Sequence, residues 1–212
     1  MAEKISYADY TTIDLLDAFA SNEPLPGGGS AAALAGALGV SLLLMVAGLP
    51  KTRSGTSVPE EAVDLAAASA RLRLLRDSLV GLVDRDSEAY QSLITALRLP
   101  KGSDEERAAR RDAMQAAMRA ATEVPLETMR ECQQALAGAV IVARNGHRPA
   151  ASDAAVAVEL LQAALRGSGM NVDANLGGIE DQHYCDTIRT EREQLAADSA
   201  ADADRARQFL QS

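Results

Sequence analysis

The stretch Pro26-Gly27-Gly28-Gly29-Ser30-Ala31-Ala32-Ala33-Leu34-Ala35-Gly36-Ala37-Leu38-Gly39 decides the fold, and it continues without a charge as far as Pro50. Pro26 and three consecutive glycines stop any preceding helix. The residues after them are dominated by Ala and Leu, the strongest helix formers. Small residues recur along this run at helical spacing: Ala32 with Gly36, Ala33 with Ala37 and Ser41, Ala35 with Gly39. Such lines let helix backbones approach closely, in a membrane or in a soluble core. A helix that is apolar all round is predicted to be the buried centre of a bundle. Ala31 to Leu49 also has the length to cross a bilayer. Against that reading, Ala and Gly make it only modestly hydrophobic, no second such stretch occurs, and the remainder is acidic and highly charged.

On either side of this segment the pattern stays helical. A first amphipathic helix is predicted from Thr11 or Thr12, turning Ile13, Leu15, Leu16 and Phe19 inward. After a polar loop at Lys51 to Pro59, a third helix runs to about Leu97, with Leu65, Leu72, Leu75, Leu79, Leu82 and Val83 as its apolar stripe. The break Leu99-Pro100-Lys101-Gly102 ends it. Ser103 with Glu106 then forms a capping-box pattern for a fourth helix. Pro125 is expected to kink or restart that helix, and Asn145-Gly146 to stop it. Ser152 or Asp153 would cap the next helix, to about Arg166. Gly167-Ser168-Gly169 reads as a turn, and a last helix covers roughly Asp186 to Phe209. No stretch alternates with period two for long. The expectation is therefore an all-α multi-helix bundle, one domain over residues 1–212, around a central Ala/Gly-rich helix.

Composition narrows the function. The 212 residues carry 30 acidic and 21 basic side chains, a net charge of −9, so nucleic acid and anionic membrane surfaces would be repelled. About a fifth of the chain is Ala, and aromatic residues make up 3%. Cys132 and Cys185 lie far apart in no CxxC spacing, and the apolar residues near the start are interrupted by charges rather than forming a secretory signal. A cytoplasmic protein with ordinary thiols is expected. His147 and His183 have no partners at metal-ligand spacing, so no metal site is expected.

Three features could carry chemistry. The Gly27 to Ser30 turn opens a helix whose exposed N–H groups attract carboxylate or phosphate, although no Walker lysine is present; the plainer reading is a tight turn where backbones touch. Charged residues gather at breaks: Asp84, Asp86 and Glu88, then Lys101, then Ser152-Asp153, where a carboxylate at a helix start commonly caps it. Asn171 and Asn175 are four apart, on one helical face, where amides cap, bridge helices or read a heterocycle.

In order along the chain, the glycine-rich opening resembles the signature of the cyclodeaminase/cyclohydrolase family of folate metabolism. The likeness continues through Asp86 with Glu88-Ala89-Tyr90, Leu99-Pro100-Lys101 with Glu105-Glu106, Val124-Pro125-Leu126, Cys132, Ser152-Asp153, and Asn171-Val172 with Asn175-Leu176. The chain departs from the family pattern where Lys51 to Ser57 lacks a Tyr, at Asp173, and at Gly146-His147. The resemblance implies an all-helical homodimer with folate bound near the subunit contact, and no cofactor besides that substrate. It implies hydrolysis of 5,10-methenyltetrahydrofolate to 10-formyltetrahydrofolate. Cyclodeamination of formiminotetrahydrofolate with release of ammonia is the alternative, and a helical dimer that has lost the site is the non-enzymatic one.

The reaction needs a positioned water, a proton acceptor for it, and a donor to the leaving nitrogen. On the positions located by the resemblance, Asp153 or Asp86 would take the water's proton and Ser152 would orient the water. Lys101 would stabilise the developing carbonyl oxygen or hold a glutamate carboxylate. Pro26, Gly27, Gly28, Gly29 and Ser30, with Lys51 or Arg53, would receive the anionic glutamyl tail. Asn171 and Asn175 would hydrogen-bond the pterin edge.

Overall fold

The computed structural model describes residues 6–50 and 59–211, so Lys51 and Arg53 lie outside the described residues. Among the described residues there are six α-helices: α1 (Thr12–Ala20), α2 (Gly28–Gly48), α3 (Pro59–Leu97), α4 (Asp104–Asn145), α5 (Ala151–Leu176) and α6 (Gln182–Gln211). Short 3-10 turns occupy Tyr7–Asp9 and Arg148–Ala150, and no strand occurs among these residues. The fold is an all-α bundle.

α2 sits against α3, α4 and α5 at once. Its glycines explain how. A Cβ on Gly36 would lie 3.0 Å from Cys132 Sγ on α4 and 3.3 Å from a Leu79 methyl on α3. One on Gly39 would lie 3.0 Å from both Ala157 O and Leu161 Cγ on α5. The small-residue lines are thus the seams where three neighbours close on one rod. α2 is long and apolar enough to cross a membrane, but in this fold Ala33, Val40, Leu43 and Val46 are core residues of the bundle. Beneath Gly36, burial, with Glu131 adding to it, pushes the Cys132 thiol up to about 12. That thiol is core packing, not a nucleophile.

The α3 stripe is as the spacing predicts: Leu72, Leu75, Leu79, Leu82 and Val83 are buried. α4 begins with the Ser103–Glu106 capping box. Four expectations are corrected. Pro125 neither restarts nor ends α4, which is a single helix of 42 residues. Ser152 and Asp153 do not cap α5. The chain enters α5 from the Arg148–Ala150 turn, so Ala150 is the N-cap and its side chain makes no cap bond. Gly167-Ser168-Gly169 is not a turn, because the residues that read as punctuation serve close packing: Gly167 meets the Ala32 methyl, and Gly169 meets the Arg192 guanidinium and Met129. Finally, α6 starts at Gln182, where Asp181 accepts from the Tyr184 N–H at 3.0 Å.

α1 also departs from expectation. It buries no residue, and Ile13 and Leu16 are exposed while Leu15 and Phe19 are half-buried. An amphipathic pattern fixed its helicity but not a partner in the same chain.

Candidate active site

The direction of packing places the site. α2 and α3 are antiparallel, so the glycine-rich start of α2 meets α3 at Val83 to Ser87. α2 and α5 are antiparallel as well, so Gly28 lies beside Asn171, while Val46 at the far end meets Gly146 and His147.

At this tip Gly27 is the N-cap of α2 and supplies no side-chain cap. Asp86, reaching across from α3, takes that place. Its Oδ2 accepts the Ser30 N–H at 2.8 Å and lies 3.0 Å from Ser30 Oγ. A carboxylate at the positive end of α2 is well placed electrostatically. Gly29 is required for the approach, since a Cβ there would lie 2.0 Å from Asp86 Oδ1 and 2.8 Å from Oδ2. Oδ1 accepts no hydrogen bond among the described residues, nor do the N–H groups of Gly28 and Gly29 donate one. Burial holds the Asp86 carboxyl above its ordinary range, with the two Ser30 contacts pulling it back down. The arrangement offers a half-buried carboxylate with one oxygen fixed and the other without a hydrogen-bond partner among the described residues, which suits taking a proton.

Asn171 borders the same spot: its Nδ2 would be 3.8 Å from a Cβ on Gly28, and it donates to Gly167 O at 2.9 Å. Its Oδ1 has no partner among the described residues. Beside the tip, a cleft of about 220 Å³ is lined by Tyr7, Tyr10, Leu25, Asp84, Ser87, Glu88 and Gln91. Asp84 is engaged by the Ser6 hydroxyl and by the Tyr7 N–H at 2.7 Å, so it anchors the N-terminal turn. The sequence singled out Asp84 but held no sign of that partner.

Asp86, Gly27 to Ser30 and Asn171 therefore converge, and several expected roles change. Ser30 is fully buried with its hydroxyl directed at Val83 O and Asp86, and Pro26 is buried too, so neither faces a ligand. At this tip the chain's own Asp86 carboxylate takes the Ser30 N–H, and its charge would oppose a second anion there.

Asn175 is tied to α4 through its amide nitrogen. Its Nδ2 donates to Ala121 O on α4 at 2.8 Å. Ala121 stands four residues before Pro125, which has no N–H to return to that carbonyl. Asn175 supplies the missing donor, and this is why a buried proline is tolerated inside one continuous run of α4. Asn175→Ala is accordingly expected to lower stability by about 1–2 kcal/mol, measured by chemical denaturation. In a Pro125→Ala background, where the backbone N–H returns, the same change should cost much less. Equal losses in both backgrounds would refute the link.

Ser152 and Asp153 do not join this cluster within one chain. They start α5, and Asn171 lies about 27 Å further along the same helix axis. Lys101 is exposed in the turn between α3 and α4, after α3 has run on for about 16 Å past Asp86.

Comparison with known proteins gives a consistent picture. The family profile described as formiminotransferase-cyclodeaminase matches residues 11–194. A methenyltetrahydrofolate cyclohydrolase from Methylorubrum extorquens is 39% identical over 186 residues, covering 88% of each chain. The formimidoyltransferase-cyclodeaminase of Gallus gallus is 33% identical over 174 residues, 80% of this chain but only 30% of that one. Among solved structures, a formiminotetrahydrofolate cyclodeaminase from Thermotoga maritima superposes with a TM-score of 0.84 over 96% of both chains. At 24% identity that likeness speaks to the fold alone.

Proposed function

The chain belongs to the formiminotransferase-cyclodeaminase family, and from that premise we propose that it is a folate one-carbon enzyme hydrolysing 5,10-methenyltetrahydrofolate to 10-formyltetrahydrofolate. The observation that carries this reading is the Asp86 carboxylate, held on Ser30 with Oδ1 open. The substrate carries a delocalised cation between two nitrogens, and a half-buried carboxylate beside it stabilises that charge. Water adds to the carbon between the nitrogens as its proton passes to Asp86 Oδ1. The tetrahedral carbinol then collapses: the proton returns to the departing nitrogen, the carbinol O–H gives up its own proton to solvent as the carbonyl forms, and the formyl group stays on the other nitrogen. Asn171 Oδ1 would accept a hydrogen bond from a ring N–H, a role supported by its position beside Gly28. Cyclodeamination of formiminotetrahydrofolate is the second reading, favoured by the 33% identity to the Gallus gallus protein. Loss of the methenyl chromophore above its spontaneous rate tests the first reading, and ammonia release from the formimino compound tests the second.

The reading includes a homodimer in the cytoplasm, where the two buried free cysteines would remain reduced. Ala31, Leu38 and Met45 on α2 and Val156, Ala163 and Met170 on α5 are exposed at seven-residue intervals. Both lines lie on the side of the α2–α5 pair turned away from α3 and α4. An isologous contact across Leu38 would set the glycine-rich tip of one copy against the far end of α2 in the other. Ser152 and Asp153 of a second copy would then approach Asp86. The single-chain cleft of about 220 Å³ supports this, since it is smaller than the roughly 300–1,000 Å³ usual for ligand sites. Under this reading Asp86→Asn and Asp153→Asn homodimers are each inactive. Subunit exchange between them restores one intact site per mixed dimer, about a quarter of wild-type activity for random pairing. No recovery after demonstrated exchange would remove Asp153 of a second copy from the site.

A further inference from the structure

We infer that Ser30 is a positioning residue: it fixes Asp86 Oδ2 so that Oδ1 is the working oxygen, and its hydroxyl turns between Oδ2 and the Val83 carbonyl as Asp86 loses and gains a proton. This rests on the reading of Asp86 as the proton acceptor.

Ser30 is fully buried, and its single hydroxyl proton has three oxygens in reach. Val83 O lies at 2.9 Å, Asp86 Oδ2 at 3.0 Å, and Ser87 Oγ at 3.3 Å. One proton serves one of these acceptors at a time. Ionised Asp86 takes the hydroxyl together with the Ser30 N–H, two donors from one residue on one oxygen. Val83 O keeps a helical donor within α3 meanwhile, so nothing is stranded. When a proton arrives on Oδ1, Oδ2 becomes a poorer acceptor, and the hydroxyl rotates to Val83 O. The Ser30 O–H bond stays intact; no proton passes through it. In both protonation states the Ser30 hydroxyl thus keeps an acceptor and Oδ2 keeps the Ser30 N–H, which suits a proton acceptor that must also give its proton back.

Among the described residues, burial and the two Ser30 hydrogen bonds act on Asp86, and no charged side chain pairs with it. α2 carries no ionisable side chain, and α5 presents the neutral Asn171 here, with Asp173 beyond it paired to Arg192. On α3, Asp84 is bound by Ser6 and Tyr7, while Glu88 lines the neighbouring cleft with Tyr7 and Tyr10.

The test is the Asp86 titration midpoint, tracked by carboxyl carbon NMR in the intact protein, beside the pH profile of kcat/KM. Ser30→Ala removes a donor to the ionised form, so the midpoint should rise by about one unit, and the acid limb of the profile should rise with it. Ala suits the helix, and Ser30→Thr, which keeps the hydroxyl, should return both to wild type. Ser87→Ala, whose hydroxyl touches Ser30 but not Asp86, should leave the midpoint in place. An unmoved midpoint in Ser30→Ala, or one that Thr does not restore, overturns the proposal whatever the activity. Full turnover by Asp86→Asn together with a moved midpoint in Ser30→Ala overturns the role of Asp86 in the reaction and leaves its pairing with Ser30 standing.

Discussion

Asp86→Asn is expected to lower turnover of the methenyl substrate by about 10²–10⁴-fold, the range for losing a positioned proton acceptor. The amide keeps an oxygen to accept the Ser30 N–H, so the fold should survive and thermal unfolding should stay close to wild type. The pH profile supplies a second readout. A carboxylate accepts a proton only when ionised, so activity falls as the pH drops through its pKa. Burial raises that pKa, which places the wild-type acid limb above the usual carboxylate value of about 3.9. In the variant that limb should vanish. Wild-type turnover in Asp86→Asn, with the limb unchanged, would take this residue out of the chemistry.

Gly29→Ala should act through geometry alone. The added methyl would sit 2.0 Å from Asp86 Oδ1 and 2.5 Å from Cγ, distances no real Cβ shows. The carboxylate is held by the Ser30 N–H and the glycine by helical backbone, so neither yields freely. A shift of about 1 Å in a reacting group is enough to cost about 10²-fold in rate. Overpacking of this kind lowers stability by about 1–3 kcal/mol. Gly28→Ala is the matched control, because its Cβ would meet only Asn171 Nδ2 at 3.8 Å. Kinetics and thermal melts on the pair decide the matter. If the two variants behave alike, close approach at Gly29 is not what the triplet is for.

The site's two halves were readable to different degrees. The glycine triplet and Asp86 stand out in the sequence, the first as a helix breaker before an apolar run, the second among carboxylates near a resembling block. Their contact joins residues more than fifty positions apart, and only the antiparallel packing of α2 on α3 creates it. Ser30 looked like a ligand contact because it comes directly after the glycines; its burial depends on where α3 lies. Asn175 looked like a reader of polar edges. Its partner is a carbonyl set free by a proline 50 residues earlier, a pairing that helical periodicity has no means of signalling.

Local chemistry was enough for the helices themselves. Apolar spacing, the Ser103 capping box and the Gly/Pro breaks act within a few residues, so the sequence by itself determined an all-helical chain, the α3 stripe and the burial of the Ala/Gly rod. The same local rules failed at Pro125 and at Gly167 to Gly169, where neighbouring helices supplied a donor or took up the space that glycine left. Tertiary structure alone decided which end of each helix meets which, and hence that Asp86 closes the tip of α2 while Asp153 starts α5 about 27 Å from Asn171 along the same axis. The reason is one of range: hydrogen bonding and steric preference along the chain set each helix, whereas direction and register come from side chains brought together by burial.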